Sequence, residues 1–364
     1  MMKFQLRPLT ISVLQLAAIA GLIYTLYTIS SIILYAVIAL YISILLRPLM
    51  GLLKQAVWAR RLGDGGRAAL VLGSFLTVIS LIGAMFLPAF ISEFTFLAQI
   101  DYSNLLASLQ GEWNTLNAFL SQLGIDTQTD LDELGQSMSE IASVDLITGT
   151  FTGLIGGLGN LLIASFSIVF LSFFLIKDRG LAPQFVEWLL PESYLNIWNG
   201  AQPKVKSTVT RYSVGILIQI SAIFILLSLG LSLIGVPGAV VLALFAAVFN
   251  LIPYIGPLVG AFLGIVLSLG QLYSLQLTGD PSAPELLSSL YMLIGLFAVV
   301  QLLDNTVFQP LIFSNSVGVH PIEIFLVISI AGTIFGIAGM IFAVPVYSIL
   351  RIVTAEIAKS IPEG

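Results

Sequence analysis

"FNLIPYIGPLVG", residues 249–260, lies inside an apolar region running from about Gly238 to Gly270, yet it carries two prolines, two glycines and an asparagine. At 1.5 Å per residue that region is too long for one straight span across ~30 Å of hydrocarbon and too short for two. A break is expected within it. Pro253 removes a backbone donor and clashes with the preceding turn, Pro257 repeats the effect, and Gly256 opens conformations that other residues avoid. We therefore expect two half-helices meeting at Asn250–Pro257. Backbone groups freed there cannot face lipid; they must be buried in protein or line a wet cavity, as in the discontinuous helices of transporters. A plain proline kink satisfied by neighbouring helices is the alternative, but one proline would suffice for that. Here two prolines cluster with glycine, Asn250 and Tyr254.

The composition agrees that the solvent is a bilayer. Of 364 residues, 58% are hydrophobic and 9% charged, with a mean hydropathy of +1.04; a soluble chain would be about a quarter charged. Apolar runs recur at the ~20-residue length that favours a helical bundle over a barrel. Cysteine is absent, so disulfides and thiol chemistry are excluded.

The N-terminus imitates a secretory signal, with Lys3 and Arg7 before an apolar run. That run continues to Leu46 without a short core and small-residue cleavage site, and reads as two retained spans. A third span is expected near 68–91, a fourth near 151–176 and a fifth near 212–234. Lysine and arginine fall in four groups: Lys3 and Arg7; Arg47 to Arg67; Lys177 to Arg211; Arg351 and Lys359. All four can be cytoplasmic. The segment between spans three and four holds nine acids and no base, as expected of a translocated loop. Both termini are therefore expected inside a bacterial inner membrane, and the net charge of −5 reflects this loop rather than a nucleic-acid partner. Helical spacing of Leu105, Leu109, Trp113, Leu116 and Leu120 gives the extracytoplasmic insert, 92–150, amphipathic helices for packing on the spans or on a neighbouring protomer. The cytoplasmic connection, 177–211, includes "FVEWLLPESYLNIW" (185–198), whose Trp, Tyr and Leu among acids suit an interfacial helix.

A second interrupted region runs from about Ile322 to Leu350, with Gly332, Gly336, Gly339 and Pro345 inside it. Paired interruptions point to a transport site. The expected fold is an all-α polytopic bundle of about six full spans plus two interrupted, re-entrant hairpins, forming one transporter domain over 1–364; eight full spans is the alternative. The acidic, base-free connection 271–285 favours hairpins.

Between the two regions lies "VVQLLDNTVFQPLIF" (299–313). Asp304 is the one ionisable residue well inside an expected span, and such a carboxylate is costly enough to suggest function. Gln301, Asn305 and Gln309 stand at i, i+4 and i+8, one polar stripe with Asp304 beside it. These groups could bond a polyhydroxylated solute or coordinate a small hard cation; a structural Asp304 and amides acting as interhelical glue are the alternatives. No cofactor or metal is expected. His320 is the only histidine, so H-E-x-x-H is impossible, an aspartyl protease would need a second membrane carboxylate, and neither G-x-S-x-G nor a Walker loop occurs. Enzyme chemistry is not expected.

"NLIPYIGPLVG" (250–260) together with "DNTVFQPLIFSNSVGVHPIEIFLVISIAGTIFGIAGMIFAVPVYSIL" (304–350) resembles the AI-2E family, the autoinducer-2 exporter family of bacterial inner-membrane proteins. The likeness extends to "FFLIKDRG" (173–180), "LLPES" (189–193) and "YSVGILIQ" (212–219). It implies a gradient-driven, homo-oligomeric transporter, a pentamer among the candidates, and carries signature positions onto Pro253, Tyr254, Gly256, Pro257, Asp304, Gln309, Pro310, Gly318, Pro321, Gly336, Gly339 and Pro345. The leading expectation is a secondary exporter of a small polar solute, with the quorum-sensing signal autoinducer-2 as one candidate. A sodium (lithium)/proton antiporter is the runner-up, and a non-transporting scaffold is more remote.

Overall fold

The computed structural model describes residues 29–56, 61–97, 158–281, 283–313 and 320–360, with isolated positions in 12–28 and 114–121. Among these residues there is no strand. The helices are α1 (Ser30–Gln55), α2 (Asp64–Leu97), α3 (Leu158–Lys177), α4 (Leu181–Leu189), α5 (Glu192–Ile234), α6 (Ala239–Phe249), α7 (Ile255–Leu277), α8 (Leu286–Leu303), α9 (Gln309–Phe313) and α10 (Pro321–Ser360), with a π-helical turn, Asp304–Phe308, between α8 and α9. Among the described residues six helical stretches are long and apolar enough to cross a bilayer, or seven if α3 and α4, bent by 99° at their junction, count as one. The chain is a polytopic helical membrane protein, as its composition required. Most of the expected insert at 92–150, the first of the two N-terminal spans, and Gly318 lie outside the described residues.

Helix boundaries refine the expectation. The connection at 177–211 is helical, made of α4 and the first part of α5, which begins at Glu192 and runs unbroken to Ile234 past Pro203. The two arms around the first break are also unequal. α6 has 11 residues, ~16 Å and too short to cross, whereas α7 has 23, ~35 Å. α7 absorbs Gln271–Leu277, which reads as connection in the sequence, and stops only at Gly279 (φ 68). There Gly279 N donates to Gln276 O and Asp280 N to Leu275 O, the paired bonds of a glycine C-terminal cap. α5 ends the same way at Gly235.

The second interruption falls at Gly336 alone (φ 63, ψ −151). Pro345 stays helical within the following arm. A Cβ at Gly332 would lie 2.6 Å from Met340 Cε, and one at Gly339 would run into the Ala331 carbonyl. Residues eight apart in an unbroken helix are separated by ~12 Å, so the chain reverses at Gly336 and its two arms pack together. The break between α6 and α7 also reverses the chain: Gly256 abuts the Phe249 carbonyl, and Gly260 abuts Ala246. In both regions a short arm precedes a long one.

The chain folds as two compact units. The first takes in α1, the start of α2, most of α3, α4, the start of α5 and most of α10. In it the Tyr41 and Phe342 rings meet edge to face at 5.2 Å, and Asp64 accepts both Lys54 and Arg67 at 3.1 Å in the basic turn between α1 and α2. The second holds the rest of α5 and everything from α6 to α9. Its core is Ile223, Leu227 and Leu231 of α5 packed with Leu242, Ala243 and Ala246 of α6, Leu267 and Leu272 of α7, and Leu293 and Phe297 of α8. Apolar burial gives little drive inside lipid, so close approach matters more. Gly264 leaves room for the Phe297 ring and Gly230 for Leu296.

Candidate functional site

The second unit brings three elements together around Asp304. The first is the break after α6. Leu251 N and Ile252 N bond back to the Val248 and Phe249 carbonyls in tight turns, and Ile255 N then donates to Pro253 O at 2.8 Å across Tyr254 (φ 66, ψ −51). That is a γ-turn of the strained hand on a non-glycine residue. Asn250 donates from Nδ2 to Ala246 O at 3.4 Å, while its Oδ1 is buried without a donor.

The second element is the π turn. Proline at position 310 has no N–H, and in a regular helix its ring would strike the carbonyl of Thr306 four residues back. The widened turn, in which Gln309 N bonds to Asp304 O, accommodates it and has a second effect. Residues five apart are not neighbours on an α-helix, but here Gln309 is returned to the face of Asp304. Gln309 Nε2 donates to Asp304 Oδ2 at 2.9 Å and to Asn305 Oδ1 at 3.0 Å. Gln301 Nε2 reaches the same Asn305 oxygen at 3.1 Å, so the polar stripe is a bonded chain.

The third element is α5, which supplies Gln219. Its Nε2 donates to Asp304 Oδ1 at 2.5 Å. Gln219 is 6% exposed and Asp304 1%; two neutral amides from two helices thus hold the two oxygens of a buried carboxylate.

Asp304, Gln309, Gln219, Ile216, Asn250, Pro253 and Pro257 line one narrow cavity. Its volume, ≈ 10 Å³, is close to the minimum for one water molecule. Of the candidate residues in the sequence, Asn250, Pro253, Pro257, Asp304 and Gln309 meet there. Tyr254 and Gly256 shape the break without lining the cavity, Gln301 lies behind Asn305, and Asn305 is exposed. Pro310 follows the π turn in α9, while Pro321, Gly336, Gly339 and Pro345 belong to α10. His320 is a helix cap, its Nδ1 accepting Ile322 N at 3.3 Å. Gln219 is the site residue that sequence reasoning misses, although an amide in the middle of "VGILIQISAIFILL" (214–227) is the same kind of signal as Asp304 in its own apolar run. Among the described residues no group of three His, Cys, Asp or Glu side chains is placed to hold a metal ion.

Beside this cavity, and sharing Gln219 with it, lies a larger groove of ≈ 390 Å³. It is lined by Thr210, Arg211, Val214, Gly215, Ile218 and Gln219 of α5 and by Phe308 and Leu311 across from them.

The sequence pattern of the AI-2E family transporter matches residues 16–359. The chain is similar to "Putative transport protein YueF" of Bacillus subtilis (strain 168), 27% identical over 215 residues, 59% of this chain and 54% of that protein. It is similar to YrrI of the same organism, 27% identical over 207 residues, 56% and 55% of the two chains. In both, the match spans about half the relative's length. A match to YhhT of Escherichia coli (strain K12) is 24% identical and covers 93% of this chain and 88% of that one; YrrI and YhhT carry the same description as YueF.

Proposed function

The chain belongs to the AI-2E transporter family, and we propose that it is a secondary exporter of a small polar solute bound at Asp304, with autoinducer-2 one candidate substrate. The observation that supports this reading most is a carboxylate 1% exposed whose oxygens are held by the movable amides of Gln219 and Gln309 rather than by a fixed cation, beside a break in a neighbouring helix pair. A solute rich in hydroxyls can replace those amides bond for bond. Membrane carboxylates are costly, so one that is buried and stabilised only by hydrogen bonds from neutral amides is suited to a ligand that supplies its own donors.

Gradient-driven export fits a chain without a nucleotide-binding loop. In this reading the basic groups at 3–7, 47–67, 177–211 and 351–359 are cytoplasmic and both termini lie on the cytoplasmic side of a bacterial inner membrane, with 1–364 acting as one transporter domain, 92–150 outside, 177–211 inside, and the protomers assembling as a homo-oligomer.

A second reading, sodium or lithium/proton antiport, is favoured by the buried Asn250 oxygen that lacks a donor, which with Asp304 would give a cation two oxygen ligands. Reconstituted Asp304→Asn and Asp304→Ala separate the two. An exporter keeps partial solute flux in Asp304→Asn and loses more in Asp304→Ala; an antiporter loses all cation-dependent proton movement in both. If wild-type proteoliposomes move neither solute nor cation, the transport reading fails and a scaffold role takes its place.

A further inference from the structure

The Asp304 cavity and the larger groove have one lining residue in common. Gln219 lines both. One turn back along α5 stands Gly215, which leaves the groove hollow just short of Gln219, and two turns back stands Arg211, exposed at the far end. Phe308 of the π turn and Leu311 form the opposite wall.

We propose, building on the assignment of Asp304 as the solute site, that this groove is the access route for an uncharged organic solute and that Gln219 is its gate. The volume of ≈ 390 Å³ is that of a small-metabolite pocket. Its two ends reject opposite charges. A cation must pass Arg211 and shed its water against Val214, Ile218, Phe308 and Leu311 with no acid on the wall. An anion that passes Arg211 meets Asp304 at the other end, where burial strengthens repulsion.

A neutral solute meets neither barrier. When Gln219 rotates into the space beside Gly215, Asp304 Oδ1 loses its donor, and a hydroxyl or N–H of the arriving molecule restores the bond. Gate opening without such a molecule leaves a buried acceptor unpaired. The bond between Gln219 and Asp304 therefore couples opening to the presence of the solute.

The chain has no cysteine, so introduced thiols report access cleanly. Val214→Cys lies in the groove and Asn250→Cys beyond the gate. Each is reacted, in the purified full chain, with a neutral, a cationic and an anionic methanethiosulfonate, with Gln219 intact and with Gln219→Ala. The expected result is that the neutral reagent modifies Val214→Cys equally in both backgrounds but modifies Asn250→Cys about tenfold faster, or more, once Gln219 is removed, while the charged reagents gain much less. Blocking Val214→Cys with a bulky maleimide should abolish that gain. Equal rates at Asn250→Cys in the two backgrounds, a gain shared by the cationic reagent, or a gain that survives the block would each overturn the proposal. Should Gln219→Ala fail to fold, as a changed rate at Val214→Cys would reveal, Gln219→Ser carries the same comparison. Labelling reads access rather than flux, so a chain that moves no solute would defeat the transporter reading and leave this test standing.

Discussion

Gly336 and Gly279 both have positive φ, 63 and 68, but asparagine should cost far more at the first than at the second. Gly336 pairs its φ with ψ −151, a region essentially reserved for glycine, where any side chain costs ~1–3 kcal/mol. Nothing lies within 4 Å of a Cβ built there, so the cost is purely conformational. The entropy that alanine removes from the unfolded chain offsets only ~0.4–1 kcal/mol of it. Gly336→Ala should therefore destabilise the fold by about 1–2 kcal/mol, and Gly336→Asn by the same, because asparagine's tolerance is for the left-handed helical region only. Gly279 is a helix C-terminal cap in that region, where asparagine is accepted, and Gly279→Asn should cost a few tenths of a kcal/mol. Tryptophan fluorescence during SDS titration of the purified protein in mixed micelles measures all three. Equal losses for Gly336→Asn and Gly279→Asn would refute the reversal at Gly336 and leave α10 a merely kinked span.

Three other outcomes are expected. Gly264→Leu should drive α7 from α8, because even a Cβ there strikes the Phe297 ring; overpacking of this kind costs ~1–3 kcal/mol, and restoration by Phe297→Ala in the double variant is the check. Gln309→Leu should lower stability by about 1–3 kcal/mol by leaving Asp304 Oδ2 without its donor, whereas Gln301→Leu, which gives up an exposed bond to Asn305, should be close to neutral in the same titration. Finally, a chain that reverses at its break returns to the side it came from, so Thr278→Cys and Ser121→Cys should both react with an impermeant maleimide on intact spheroplasts; reaction at 121 alone would leave α6 and α7 on a crossing path.

The sequence carries the broken regions plainly, because prolines and glycines act on the backbone residue by residue. The break at 250–254 and the reversal at Gly336 follow from local chemistry. What it hides is register. The unequal arms depend on where α7 stops, and Gln271 to Leu277 read as connection only if the cap at Gly279 is overlooked; "LTGDP" (277–281) holds that signal. The meeting of Gln309 with Asp304 needs a π turn that periodicity of 3.6 cannot show, although Pro310 is its cause. The meeting of Gln219 with Asp304 spans 85 residues and depends on how α5 packs in the second unit, which no local pattern encodes. In the first unit Gly332 and Gly339 stand out as punctuation in the sequence; in the folded chain only Gly336 turns it, and the other two let the arms approach.

A cavity of ≈ 10 Å³ cannot hold an organic solute, so a transporter that binds at Asp304 must enlarge it. The surrounding elements differ in how easily they give way. α6, α7 and α8 share the buried core, and Phe297 is seated against Gly264; moving them would forfeit packing across the whole second unit. The break between α6 and α7 is pinned by its own bonds, from Leu251 N through Gly256 N, and already carries the strained γ-turn at Tyr254. The Gln219 side chain, by contrast, is fixed to the site by one hydrogen bond and borders open volume next to Gly215. The π turn is held as well, because the Pro310 ring would strike the Thr306 carbonyl if the turn took regular spacing. Gln309 therefore stays on the Asp304 face at Oδ2, and Oδ1, held by Gln219, is the oxygen more easily released. In the proposed exporter the division of work is then plain: the rigid hairpin and the π turn would fix where the solute sits, and the Gln219 amide would set when Asp304 is free to receive it.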